Sequence, residues 1–90
     1  MYYVYILLSQ RDGKLYIGST QSIKIRLEKH RNGFVRSTKY RRPLRLIYFE
    51  TYLSRRDAER RERFLKGGKG HEELRTQLND TYKKIHYQYR

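Results

Sequence analysis

The N-terminal stretch restricts the fold more than any other part of the chain. Residues 2–8 are a run of Tyr, Val, Ile and Leu, whose planar or branched side chains suit a pleated strand. Asp12-Gly13 follows, a pair favoured in tight hairpin turns that need positive φ. Residues 15–19 then read as the return strand. With Asp12 and Gly13 as the two central turn residues, Ser9 pairs with Tyr16. Tyr16 then shares a face with Tyr3, Tyr5 and Leu7, because alternate residues of a strand point the same way. A turn of odd length would separate them.

Beyond the hairpin, Thr20 or Ser22 can cap a helix over residues 23–32 that Gly33 stops. Residues 34–42 show no period and carry four basic residues, so they read as a loop. Pro43 introduces a third strand, residues 44–52, apolar and aromatic enough to be the central one. Ser54 with Asp57 resembles a capping box and opens a helix ending near Lys66. Gly67-Gly68 breaks it, and a third helix starts near His71 and fades into a basic, aromatic tail at 71–90. The expected fold is α+β within the α/β class. It is a small three-stranded mixed or antiparallel sheet flanked by helices in the order β-β-α-β-α-α, and a hairpin followed by a helix and another strand implies a mixed sheet rather than a doubly wound one.

A chain of 90 residues has one domain's length and buries only about 60–65% of the surface it exposes when unfolded. A polar residue at a core-facing position is therefore informative. The chain has no Cys, which excludes disulfides and thiolate zinc sites and agrees with the expected cytoplasmic location. The N-terminal apolar run is too short to span a membrane and lacks the features of a signal peptide. Lys and Arg number 22 against 9 Asp and Glu, a net charge of +13. Such an excess repels itself and calls for a polyanionic partner. Nucleic acid fits best, because neutralising its phosphates releases counterions. The basic residues run from Arg11 to Arg90 rather than along one amphipathic helix or tail, which argues against a membrane surface.

Three polar residues fall where apolar ones belong. In the first helix Ile23 and Leu27 define a stripe, and at 100° per residue Arg26 lies about 60° and His30 about 20° to the same side of Ile23. The ordinary alternatives are a snorkelling arginine and a histidine bonding the helix's last carbonyls. In the second helix Ala58, Glu62 and Leu65 follow an i, i+4, i+7 spacing, which puts a carboxylate on the apolar face. The alternative for Glu62 is a solvated salt bridge with its arginine neighbours. One carboxylate among phosphate-binding cations is also enough for magnesium, which fills its shell with water and substrate oxygens. Ten tyrosines must mostly pack or line the surface, although aromatics between basic residues can also stack bases.

Tyr3-Val4-Tyr5, Tyr16-Ile17-Gly18, Arg26, His30, and Glu62 within ERRERFLKG together resemble the GIY-YIG nuclease superfamily, in the right order and spacing over about residues 2–66. The second triplet is intact, whereas Tyr3 stands where the first carries glycine. The resemblance implies a metal-dependent endonuclease hydrolysing phosphodiester bonds across the sheet face, in one domain covering residues 1–90. Tyr5 and Tyr16 take the places of the paired motif tyrosines, Arg26 that of the family's arginine, and His30 a position held by His or Tyr. Glu62 becomes the ligand of a divalent metal, magnesium or else manganese, and Asn79 an accessory residue of the last helix. The basic residues Arg36, Lys39, Lys66 and Lys69 are the candidate nucleic-acid contacts.

In the chemistry so implied, the metal polarises the phosphate and Arg26 holds the charge developing on it. A tyrosinate, Tyr5 first, takes the attacking water's proton, with Tyr16 or His30 assisting. With an ordinary tyrosine pKa near 10, only about 0.1% is ionised at neutral pH, so the surroundings must lower it; otherwise His30 is the better base. The resemblance favours DNA over RNA, and the lack of an evident recognition domain implies low sequence specificity. No obligate protein partner and no membrane are expected. Two other readings compete: a non-catalytic nucleic-acid-binding domain that kept the fold, and a basic structural protein of a ribonucleoprotein particle. Retention of Tyr5, Tyr16, Arg26 and Glu62 together argues against the first.

Overall fold

The computed structural model describes residues 1–88, so Tyr89 and Arg90 of the expected basic tail lie outside the described residues. Three strands form one sheet, β1 (Tyr2–Ser9), β2 (Leu15–Thr20) and β3 (Leu44–Tyr52), in the order β2-β1-β3. Both pairings are antiparallel, the second of the two expected forms. The crossover after β2 does make β3 run in the same direction as β2, but β1 lies between them, so no parallel pair forms.

The centre is β1, not β3. Residues 4–9 are all buried, whereas no residue of β3 is. The reason is chemical: the 2–8 run carries no charge, while Arg45 and Glu50 interrupt the apolar character of β3. A central strand has both faces covered; an edge strand tolerates charge.

Register departs from expectation by two residues: Leu7, not Ser9, faces Tyr16. The connection is correspondingly longer. The Ser9 hydroxyl accepts the N–H groups of Arg11 and Asp12 at 3.2 and 3.1 Å and donates to the Arg41 carbonyl at 2.6 Å. Because the shift is even, Tyr16 keeps the face of Tyr5 and Leu7.

The helices are α1 (Ile23–Arg31), α2 (Arg55–Lys66), α3 (Gly68–Gln77) and α4 (Asn79–Lys84), with one 3-10 turn at Lys39–Arg41 inside the basic loop. Ser22 caps α1 by accepting the Ile25 N–H. Ser54 precedes α2 without a side-chain cap, and Asp57 instead takes a salt bridge from Arg60 at 3.0 Å, so no capping box forms. The third helix starts at Gly68 rather than near His71, and Leu78 separates it from a fourth that sequence periodicity did not resolve. Gly70 is buried there. A Cβ at Gly70 would overlap the Phe64 carbonyl, so glycine lets α3 turn tightly against the end of α2.

The apolar core occupies one side of the sheet. Val4, Ile6 and Ile17 pack with Ala58, Leu65, Leu74, Leu78 and Tyr82. A second network closes the β3 edge against α2 and α3. Arg61 grips Glu50 through two bonds of 2.9 and 3.0 Å and Glu73 through a third of 3.0 Å, while Tyr48 and Tyr52 donate to Glu50 at 2.7 and 2.6 Å. The opposite side of the sheet carries α1, whose one buried residue is His30. Ile23 and Leu27 are only half-buried, and Ile25 is exposed. That side is closed by polar side chains instead of an apolar stripe. Among the described residues, no helix is long and apolar enough to cross a membrane.

Candidate active site

Tyr5 is fully buried on the α1 side of β1. Across the ladder it faces Gly18, and the tyrosine ring lies over that residue. A Cβ on Gly18 would come within 2.6 Å of the Tyr5 hydroxyl oxygen and 2.8 Å of Cζ, so the glycine of the Tyr-Ile-Gly triplet makes room for the ring. The Tyr5 hydroxyl lies 2.8 Å from His30 Nε2 and receives the Arg26 Nε–H at 3.3 Å. His30 Nδ1 lies 2.7 Å from the hydroxyl of Thr38, itself fully buried. Tyr16 completes the group, its ring centroid 5.2 Å from that of His30 and 6.2 Å from that of Tyr5. Tyr3, the departure from the first triplet, packs edge-on against Phe49 at 6.2 Å.

Four candidate residues therefore meet. Arg26 points to Tyr5 instead of snorkelling freely, and His30 bonds two side chains instead of capping α1.

Burial pushes the Tyr5 hydroxyl up to about 12 and outweighs the Arg26 bond that pulls it down. At pH 7 only about one Tyr5 in 10⁵ would be ionised, so the lowering that a free tyrosinate requires is not found. His30 is driven the other way, down to about 4, by burial and then by the Arg26 charge. It is a neutral imidazole at pH 7, able to accept a proton at one nitrogen. Arg26 is held above its ordinary value, first by its bond to Tyr5.

Glu62 approaches from the other layer. It sits on α2 between the buried Ala58 and Leu65 and reaches the β2 edge, where Ser19, next to Gly18, donates to Oε1 at 2.5 Å. Lys66 Nζ holds Oε2 at 2.7 Å, and the carboxylate side chain is 20% exposed. Among the described residues no group of three or more His, Cys, Asp or Glu forms a closed metal cage. One partly exposed carboxylate beside an oxygen donor fits a divalent metal that keeps water and substrate oxygens as ligands.

The other candidates divide. Arg36 and Lys39 are exposed on the basic loop, with Lys39 Nζ 5.4 Å from the centre of the Tyr40 ring. Lys69 is exposed near the start of α3, whereas Lys66 is engaged by Glu62. Asn79 lines a recess with Tyr82, Lys83 and His86, none of which belongs to the tyrosine cluster. Sequence reasoning missed Ser19, Thr38 and the role of Gly18. The Gly18 signal was available, since a strand glycine often marks close approach by another group. A buried threonine inside a basic loop gives none.

A β-β-α-β sheet bearing paired tyrosines, an arginine and a carboxylate at its edge defines a nuclease-type domain. The GIY-YIG catalytic domain model matches residues 1–77, and the chain belongs to that family, whose nucleases generally use a divalent metal. Relatives include a UPF0213 protein of Clostridium perfringens, 40% identical over 67 residues, covering 73% of this chain and 71% of the relative. UPF0213 proteins of Staphylococcus epidermidis and Staphylococcus aureus are 42% and 40% identical over 62 residues, covering 68% of this chain and 74% of each relative. No solved structure gives a significant match.

Proposed function

We propose that the chain is one endonuclease domain that hydrolyses phosphodiester bonds in DNA with low sequence specificity, acts in the cytoplasm and requires a divalent metal, most simply magnesium. The observation that carries this reading is the continuous contact from Arg26 through Tyr5 to His30 on one sheet face. That contact leaves a neutral imidazole nitrogen beside the Tyr5 hydroxyl, an arrangement able to move a proton.

In the mechanism that this arrangement supports, a water molecule gives its proton to the Tyr5 oxygen as Tyr5 passes its own to His30 Nε2. The water oxygen forms a bond to phosphorus, the bond to the leaving oxygen breaks, and that oxygen is protonated from solvent. A stable tyrosinate is never needed, which fits the raised Tyr5 value. Burial is the larger cause of the depressed His30 value, but a substrate phosphate paired with Arg26 would offset the second cause, the Arg26 charge, and make the imidazole a better base. Arg26 then stabilises charge on the phosphoryl oxygens. Glu62, oriented by Ser19, would hold the cation, which when bound polarises the phosphate and neutralises the leaving oxygen. Lys66 must release the carboxylate for that purpose. Arg36, Lys39 and Lys69 serve as phosphate contacts, and the +13 charge supplies general attraction.

The test is cleavage of labelled DNA and RNA, single-stranded, duplex and flapped, with magnesium, manganese or excess chelator. Metal-dependent DNA cleavage is the expected result. Tight binding without cleavage of any substrate would instead favour the non-catalytic domain.

A further inference from the structure

Thr38 is outside every motif that led to the site, yet it is fully buried behind it. It lies on the loop between α1 and β3, and the loop is held at several points. The Thr38 N–H donates to the Val35 carbonyl at 3.1 Å, Val35 itself is buried, Ser9 bonds the Arg41 carbonyl, and Arg41 pairs with Asp12 at 2.7 Å. The Thr38 hydroxyl is thus fixed at 2.7 Å from His30 Nδ1.

Proton accounting gives the contact a direction. The Tyr5 oxygen already receives the Arg26 N–H, so its own hydrogen is available for His30 Nε2 at 2.8 Å. At the far end the Thr38 hydroxyl lies 3.5 Å from the Val35 carbonyl, which also receives the Thr38 N–H, so it can donate there while its oxygen accepts from His30 Nδ1. One arrangement that satisfies every atom runs Arg26 to Tyr5, Tyr5 to His30 Nε2, His30 Nδ1–H to Thr38, and Thr38 to Val35. Reversing it would place two N–H groups on the Tyr5 oxygen and turn the Tyr5 hydrogen away from His30, toward Tyr16.

We infer that Thr38 is a positioning residue that holds His30 as the Nδ1–H tautomer, so that the bare Nε2 faces Tyr5 and can take its proton. In the transfer the Tyr5 O–H bond breaks and a His30 Nε2–H bond forms. The resulting imidazolium keeps its Nδ1–H on Thr38 and later returns the Nε2 proton to solvent. Thr38 touches no reacting atom. Its contribution is the orientation of the ring and the choice of its protonated nitrogen. The kinetic part of the inference rests on the nuclease reading, whereas the tautomer part does not.

The experiment uses the full ¹⁵N-labelled chain at neutral pH, with two-bond ¹H–¹⁵N correlation of the His30 ring, together with cleavage kinetics. In the wild type, Nδ1 should be protonated and Nε2 bare. Thr38→Val keeps the volume and removes the acceptor, so the ring should lose its single tautomer. Its kcat should fall by about 10–100-fold, by analogy with removing the partner that orients a metal-bound histidine, with KM unchanged. Thr38→Ser should restore both the tautomer and the rate. A wild-type ring protonated at Nε2 would overturn the inference even if Thr38→Val does not fold. So would an unchanged tautomer in folded Thr38→Val, or a changed tautomer with an unchanged kcat. A wild-type protein that cleaves nothing while holding the Nδ1–H tautomer would sink the nuclease reading and leave the role of Thr38 standing.

Discussion

Gly18→Ala adds one methyl group and should damage cleavage far more than folding. Its Cβ would sit 2.6 Å from the Tyr5 hydroxyl oxygen, where ordinary contact begins near 3.4 Å, so something must yield by about 0.8 Å. The backbone of β2 is fixed by the Tyr5–Gly18 register, so the tyrosine ring is what moves. A shift of that size removes the 2.8 Å bond to His30. Overpacking of this kind typically costs about 1–3 kcal/mol of stability, and misplacing a reacting group by about 1 Å costs on the order of 10² in rate. The assay is single-turnover cleavage on a preparation whose folding is checked by urea denaturation. Folded Gly18→Ala protein cleaving at the wild-type rate would show that the position of Tyr5 does not matter to the chemistry.

Other consequences can be measured with the same preparations. Glu62→Gln should abolish metal-supported cleavage while DNA affinity in chelator stays equal or tightens, because a carboxylate near the scissile phosphate repels it; cleavage retained near the wild-type rate would remove Glu62 as metal ligand. Arg26→Ala should lose about 10²–10³ in turnover, against little change for an exposed residue such as Arg45; equal small losses would make Arg26 one more phosphate contact. His30 binds protons more weakly folded than unfolded, so stability is full above about 6.5 and declines as pH falls toward about 4. The decline is worth up to about 3 kcal/mol and should flatten in His30→Gln; denaturant midpoints from pH 7 to 4 test this. Below that window Asp12, held at about 2 by Arg41, and Glu50, lowered by Arg61 and two tyrosines against its burial, become the acid-sensitive groups.

Sequence patterning revealed the hairpin and the first crossover helix, and the family resemblance implied the meeting of Tyr5, Tyr16, Arg26 and His30. The tyrosines survived an error in the turn because strand faces depend only on parity, and the register slipped by two. The centre of the sheet was misplaced because residues 44–52 look apolar one by one, while burial is decided by competition: the uncharged 2–8 segment takes both neighbours. Asp57 suggested a box that Arg60 claimed for itself, a choice between nearby partners that spacing cannot resolve. Thr38, Ser19 and the pairing of Glu50 with Arg61 depend on contacts between residues distant in the chain. Local propensity is silent about these.

The placement of Glu62 makes α2 a lever arm. In the proposed mechanism the proton relay is anchored to the sheet and α1, but the metal ligand is anchored to a helix packed on the opposite layer. The gap between them is therefore a mechanical dimension, set by how closely α2 lies on β1 and β2. The spacer at that joint is Ala58, 1% exposed in the core and one helical turn before Glu62. A larger apolar residue there would lift the helix and displace the carboxylate without touching any reacting atom. The clearance of this active centre is thus machined into a methyl group on its far side.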